Sequence, residues 1–315
     1  MPRHIAALRV LAAWPAGPGV RRLTLCDPDG YGLPRVKPGA HLDLHVPGVG
    51  LRAYSLCGDP AASDRWEIAV KREQPSRGGS AWLHDALAAG GGVAASMPRC
   101  TFPIAEAASR HVMVAGGIGV TPFLAMAPVL ERAGADWALH LLHRGRSLPC
   151  PDDLAPWLAA GRVMLHDTVA GPRPALASLV GAYAPGVQAY CCGPGGMIEA
   201  FAQATADWPG DAARVEHFIP PALAPDPDAR PYTLVRASTG AEAMVAAGGS
   251  MLAGLRALGA DVGSSCEGGI CGACEVHWLE GAPVHRDRVL LASRRATHLI
   301  SCVAGCASDR LVVDA

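Results

Sequence analysis

The chain is predicted to carry three folds in series: an antiparallel β-barrel, a parallel α/β domain and a small C-terminal β-rich domain. Three observations lead there. Up to about residue 106, short β-rich or alternating runs such as Leu42-Asp43-Leu44-His45-Val46 and Trp66-Glu67-Ile68-Ala69-Val70 are separated by Gly/Pro turns, a pattern that suits an antiparallel barrel. From about residue 110, strands alternate with apolar, Ala-rich helical stretches, which implies a parallel sheet. Beyond a proline-dense segment, Cys266, Cys271 and Cys274 follow the spacing C-x4-C-x2-C, with Cys302 well downstream.

Taken in order, residues 5–14 are apolar but carry Arg9 in their middle, so they read as an opening strand and not as a signal peptide. Strands are expected at 111–115, 138–143, 162–166, 187–191 and 214–218. The window 112–130 is nineteen residues without a charge, long enough to span a membrane. Gly116-Gly117-Ile118-Gly119 and Thr121-Pro122 split it into strand, turn and helix start, so no membrane span is expected. The prolines of 220–227 make the clearest linker. After it come a strand at 232–237, a helix at 250–258 capped by Ser250, the cysteine loop and a last strand at 311–313. The expected boundaries are 1–106 for the barrel, 107–223 for the α/β domain, 224–231 for the linker and 232–315 for the C-terminal domain.

Composition narrows the function classes. Across 315 residues the formal net charge is −1 and no long basic tract occurs, which argues against nucleic acid or an anionic membrane surface as partner. Eleven cysteines in a chain of this size point to a reducing, cytoplasmic compartment and not to a disulfide scaffold. Glycine and proline together make up about a fifth of the residues, below the disordered range. Twelve histidines are scattered with no metal-ligand pair at helical spacing.

The cysteine spacing is the plant-type arrangement for a [2Fe–2S] cluster, in which two irons and two sulfides need four thiolates. Gly268, Gly269 and Gly272 suit a backbone that wraps the cluster with positive φ angles and room beside the sulfurs. Zinc sites usually pair two knuckles, and only one C-x2-C is present. Cys302 and Cys306, four residues apart, are both candidates for the fourth ligand.

Further motifs have chemical logic. In Arg52-Ala53-Tyr54-Ser55 a ring can stack on a flavin, a guanidinium can fork onto a phosphate and a hydroxyl can reach the flavin edge. Lys71-Arg72 and then Arg77-Gly78-Gly79-Ser80 follow, the latter offering charge and backbone N–H groups at a helix start. Gly116-Gly117-Ile118-Gly119-Val120-Thr121-Pro122 lets a nucleotide approach the C-terminal end of a parallel strand, and Cys192-Gly193-Pro194 ends a later strand of that sheet. Arg144 and Arg146 follow the second α/β strand, where an arginine can accept a 2′-phosphate.

In this order the motifs, with Glu216-His217-Phe218 and His285-Arg286-Asp287, closely resemble the phthalate dioxygenase reductase family, which includes vanillate demethylase reductase subunits. The resemblance covers essentially the whole chain. It implies an FMN-binding barrel, an NAD-binding α/β domain and a C-terminal β-grasp ferredoxin domain. By that resemblance Arg52, Ala53, Tyr54, Ser55, Arg77, Gly78, Gly79 and Ser80 hold FMN, with Lys71 and Thr121 near the isoalloxazine and Glu216 or Phe218 closing the site. Gly116, Gly117, Cys192, Gly193 and Pro194 line the NADH site, and the family's run before the last strand makes Cys302, not Cys306, the fourth cluster ligand beside Cys266, Cys271 and Cys274. The family usually reads Pro-Arg-Asn near the end of the barrel, where this chain has Pro98-Arg99-Cys100, so Cys100 receives no role.

A nicotinamide gives up two electrons as hydride and a [2Fe–2S] cluster takes one at a time, so a flavin belongs between them. The resemblance implies a terminal oxygenase of the Rieske type as acceptor, with a cytochrome P450 or other monooxygenase as alternative. A redox carrier or sensor with a decayed flavin site is the rival from another class. Acidic residues Asp261, Glu267 and Glu275 are candidates for a docking patch, with plain solvated charge as the competing reading.

Overall fold

The computed structural model describes residues 5–76, 78–220 and 222–315. The chain divides into two compact units, one ending at Phe218 and the other spanning Ile219–Ala315.

The first unit opens with strands β1 (Ile5–Pro15), β2 (Val20–Cys26), β3 (Ala40–Val46), β4 (Gly50–Ser55) and β5 (Trp66–Lys71), then helix α1 (Gly79–Asp85), β6 (Gly92–Ser96) and β7 (Arg99–Cys100). The strand order is β4-β3-β6-β1-β2-β5, with β7 beside β3. An antiparallel bridge from Leu56, just past β4, to Ile68 of β5 brings the two edges together, so the sheet nearly closes on itself as a barrel. Closure removes the exposed edges that an open antiparallel sheet must protect. Leu8, Leu23, Leu25, Leu42, Leu44 and Ile68 fill the interior, and Leu83 of α1 joins the same core.

The rest of this unit alternates strand and helix: β8 (Arg110–Gly116), α2 (Thr121–Arg132), β9 (Asp136–His143), α3 (Pro151–Ala159), β10 (Val163–Asp167), α4 (Leu176–Val180), β11 (Val187–Cys192), α5 (Gly195–Ala204) and β12 (Ala213–Glu216). All pairs in the order β10-β9-β8-β11-β12 are parallel. The central strand β8 is apolar on both faces, and two separate cores lie across the sheet: Leu139, Leu141 and Phe123 in one, Val114, Cys191 and Phe201 in the other. The uncharged window 112–130 is therefore a buried strand, a turn and a helix, and no described helix is long and apolar enough to cross a membrane.

Barrel and sheet are stitched together inside this unit. Arg22 of β2 donates to both carboxylate oxygens of Asp153 on α3 at 2.7 Å and to Glu67 of β5 at 2.9 Å. Arg214 of β12 donates to the Pro103 carbonyl at 2.6 Å.

The second unit holds β13 (Tyr232–Arg236), β14 (Ala241–Val245), α6 (Met251–Ala257), β15 (Glu275–Glu280), β16 (Pro283–Val284), α7 (Ala292–Arg295), β17 (His298–Ile300), β18 (Gly305–Cys306) and β19 (Arg310–Asp314). Its mixed sheet runs β14-β13-β19-β15-β17, and α6 packs Met251, Leu252 and Leu255 into the core beneath it. Ser250 caps α6 by accepting from Ala253 N–H at 3.2 Å.

Candidate cofactor sites

The cluster loop lies between α6 and β15. Cys266 and Cys271 hydrogen-bond each other, and so do Cys274 and Cys302, with the Cys266 charge felt at both members of the second pair. Among the described residues, no three His, Cys, Asp or Glu side chains surround one metal-ion position. Two sulfur pairs side by side are what a two-iron centre with two protein ligands per iron requires.

The loop also favours negative sulfur. The Cys266 thiol is pulled down to about 5, first by the Cys271 thiol and then by N–H groups of Gly268, Ile270 and Cys271. Cys274 is lowered chiefly by the Cys302 thiol, while their anionic partners and burial hold Cys271 and Cys302 up. The four residues therefore fit the cluster. Cys306 is turned elsewhere, with Sγ 3.1 Å from the Ser308 carbonyl, which supports Cys302 as the fourth ligand.

The glycines divide the work differently from the expectation. Gly269 and Gly272 do take positive φ (74° and 69°), but the third such position is Glu267 at 48°. Gly268 is required for space, because a Cβ there would run into the Pro220 ring, with Cγ at 2.7 Å. Behind the loop the buried Asp287 accepts from Val289 and Leu290 N–H. Arg288 N–H reaches the Gly269 carbonyl at 3.0 Å and ties the arginine-bearing segment 286–295 to the cluster loop. Of the acidic residues considered for docking, Glu267 pairs with Arg256 at 3.6 Å and Glu275 with Arg294 at 2.8 Å, so both are matched by cations of the same unit. Asp261 is exposed.

The flavin motifs meet on one side of the barrel. β4 carries Arg52, Ala53, Tyr54 and Ser55, and the Arg52 stem lies over Gly79, where an added Cβ would meet Arg52 Cγ at 2.8 Å. Gly78 holds φ 96° with no room for a Cβ beside Val49. Ser80 Oγ accepts from Glu73 N–H at 3.1 Å and sits 3.2 Å from Ser76 Oγ, which in turn accepts from Gly78 N–H. Arg77 lies outside the described residues. Lys71, at the end of β5, is exposed and 3.5 Å from Glu73. Burial raises the Tyr54 hydroxyl to about 12, so the ring stays neutral.

At the C-terminal ends of the parallel strands, Cys192 of β11 pairs in register with Glu216 of β12. Glu216 is buried. Ser55 Oγ donates to its Oε2 at 3.4 Å, and Cys192 Sγ lies 4.0 Å from the same oxygen. Burial raises the Glu216 carboxyl to about 8 against a weaker downward pull from Ser55, so it is mostly neutral at pH 7. The barrel and the sheet thus share a polar contact between residues 161 positions apart.

The two glycine turns interlock beside it. A Cβ on Gly116 would meet Pro194 Cδ at 2.6 Å, and one on Gly119 would fall on the Cys192 carbonyl. Gly117 takes φ 53° and opens onto free space. Thr121 is buried and donates to the Ile118 carbonyl at 3.0 Å, so its hydroxyl serves the turn. Phe218 is 40% exposed. Cys100 donates to the Pro38 carbonyl at 3.4 Å and lies near Glu216. This small-residue region beside Ser55 and a neutral carboxyl is the candidate flavin slot.

The motifs did not single out Asp167. It ends β10 and accepts from Gly145 N–H at 2.8 Å and Val169 N–H at 2.9 Å, which hold its carboxyl below the usual range. Gly145 lies between Arg144 and Arg146. An acid at the end of a strand that leads into a nucleotide cleft is the available signal.

Comparison with known proteins agrees with this geometry. Residues 235–307 match the 2Fe-2S iron-sulfur cluster binding domain. The chain is 37% identical to the tert-butanol monooxygenase / tert-amyl alcohol desaturase reductase subunit of Aquincola tertiaricarbonis, across 99% of this chain and 97% of that one. The crystal structure of phthalate dioxygenase reductase, described as a modular structure for electron transfer from pyridine nucleotides to [2Fe–2S], superposes with a TM-score of 0.70 at 32% identity, covering 99% and 98%. An intact type IV self-sufficient cytochrome P450 monooxygenase superposes with a TM-score of 0.92 at 36% identity; it spans 99% of this chain, which accounts for 41% of the P450 polypeptide. With near-full-length identity above 30% and the same three folds in the same order, the chain belongs to the phthalate dioxygenase reductase family of iron–sulfur flavoprotein oxidoreductases.

Proposed function

We propose that this chain passes electrons from NADH through FMN and a [2Fe–2S] cluster to a partner oxygenase of the Rieske type, in a reducing cytoplasm where its cysteines form no disulfide. The observation that carries the reading is the pairing of Cys266 with Cys271 and of Cys274 with Cys302, in the same chain as the Ser55–Glu216–Cys192 slot. A bound flavin supplies the conversion from a two-electron hydride donor to a one-electron acceptor.

The chain's own residues bind, orient and insulate. Arg52, spread over Gly79, offers its guanidinium to a phosphate, and Tyr54 offers an uncharged ring to a flavin face. Ser55 and the protonated Glu216 present hydrogen-bonding groups without adding charge to the slot. Gly116, Gly119 and Gly193 let the two turns close on each other and keep side chains out of the space the nicotinamide needs. The Asp167 carboxylate favours a ribose 2′-hydroxyl over a 2′-phosphate and so NADH over NADPH, in spite of the exposed Arg144 and Arg146. No side-chain general acid is needed for hydride transfer itself.

A P450 partner is the second reading, favoured by the close structural match to a P450-linked module. Cys271→Ser tests the electron path. The variant is expected to keep NADH–ferricyanide activity and lose cytochrome c reduction. Equal loss of both with FMN retained would refute the order. Reduction rates with candidate oxygenases from the same source, followed by product analysis, decide between the two partner classes.

A further inference from the structure

Two histidines lie on the α/β sheet outside the flavin slot and the cluster loop. His140 of β9 and His166 of β10 face one another, with His140 Nδ1 3.1 Å from His166 Nε2. Their ring centroids are 5.3 Å apart and the planes are inclined by 31°. In the parallel register Met164 stands opposite His140, and His166 is two residues further along the same strand. Period-two alternation therefore puts His140, Met164 and His166 on one face. His143 pairs with Asp167 on the opposite face and uses its Nδ1 at the Gly145 carbonyl, 2.9 Å away, so it stands apart from the pair.

Both rings are partly exposed, so an ion can reach them. Both are also held neutral: burial takes His140 down to about 4 and lowers His166. The contact is an N–H···N hydrogen bond, so one facing nitrogen carries the proton; moving it to the far nitrogen of the same neutral ring gives both facing atoms the lone pair a metal requires. The spacing suits a shared ion as well. Two zinc–nitrogen bonds of about 2.0–2.1 Å at a tetrahedral angle place the nitrogens ~3.3 Å apart, and a square-planar ion draws them to ~2.8 Å. The observed 3.1 Å lies between the two.

We propose that His140 and His166 form a two-imidazole site for a first-row divalent cation of the zinc and copper class, with water in the remaining positions. The Met164 thioether on the same face adds a soft donor for the copper end of that class. The site is independent of the electron path and stands or falls without it.

Zinc, which is redox-inert and spares the thiols and the cluster from oxidation, is the probe. It is titrated by calorimetry into the full-length, FMN- and cluster-loaded protein and into its His140→Asn and His166→Asn variants, with His277→Asn as control. One zinc equivalent is expected in the parent and the control. Its affinity should drop in each of the other two by at least the ~10-fold that disturbing a ligand's surroundings alone costs. NADH–ferricyanide rates should stay unchanged. Uptake that is the same in parent and both variants, or absent from the parent, overturns the site. Nitrogen NMR of the unmutated protein gives a readout free of folding effects: zinc should shift His140 Nδ1 and His166 Nε2, and unmoved signals would also overturn it.

Discussion

The cluster loop and the proposed flavin slot are assembled in opposite ways. Three of the four cluster sulfurs sit within nine residues, on a loop shaped by Gly269, Gly272 and the left-handed Glu267. The slot draws Ser55, Gly119, Cys192 and Glu216 from four separate segments and depends on strand order to unite them. A site built locally rests on backbone conformation. A site built at a distance rests on packing between domains, so the two should fail differently.

The largest expected effect is at the cluster. Cys302→Ser should remove the [2Fe–2S] absorbance and all cytochrome c reduction, whereas Cys306→Ser should keep both, because that thiol hydrogen-bonds within its own strand region. Visible spectra of the two variants as purified check this. Loss of the cluster in Cys306→Ser alone would reverse the ligand choice.

Next in size is a contrast inside the slot. Gly119→Ala sets a methyl against the Cys192 backbone, which has no room to move, while Gly79→Ala meets only the flexible Arg52 stem. NADH reduction rates should fall by roughly a hundredfold in the first, as misplacement of reacting groups by about 1 Å can cause. The second should lose only FMN affinity, measured by fluorescence release.

Asp167→Asn should narrow the preference for NADH over NADPH by roughly tenfold in steady-state kcat/KM. An unchanged ratio would show that discrimination lies elsewhere.

The smallest effect is on stability. Glu216 binds a proton in the folded, flavin-free chain up to about pH 8, while the unfolded chain releases it near 4.5. Its contribution is complete below 4.5 and is lost as pH rises toward 8. Urea midpoints of the apoprotein should therefore fall between pH 5 and pH 9, and Glu216→Gln should flatten that slope.

The same contrast explains what the sequence made legible. Cysteine spacing announced the cluster because ligand and loop are neighbours along the chain. The parallel sheet could be read from its buried strands, since β8 is apolar on both faces. The proposed flavin residues are legible only as an ordered set of motifs, each ambiguous alone. The meeting of Ser55 with Glu216 follows from barrel and sheet packing that no local pattern encodes. Gly268 looked like a conformational glycine and is a spatial one, because Pro220 is distant in sequence. The His140–His166 pair is not legible in the sequence, because cross-strand neighbours leave no trace in spacing.

The hydrogen bond from Ser55 to Glu216, together with the Arg22–Asp153 pair, makes barrel and α/β sheet a single cut of cloth. Anyone recombining such reductases would do well to place the crossover at Phe218/Ile219, where the compact units divide, and to transplant everything upstream intact. A chimera joined between β7 and β8 would inherit half of a carboxyl's surroundings from each parent, and its flavin chemistry would depend on whether the two halves had been matched to one another.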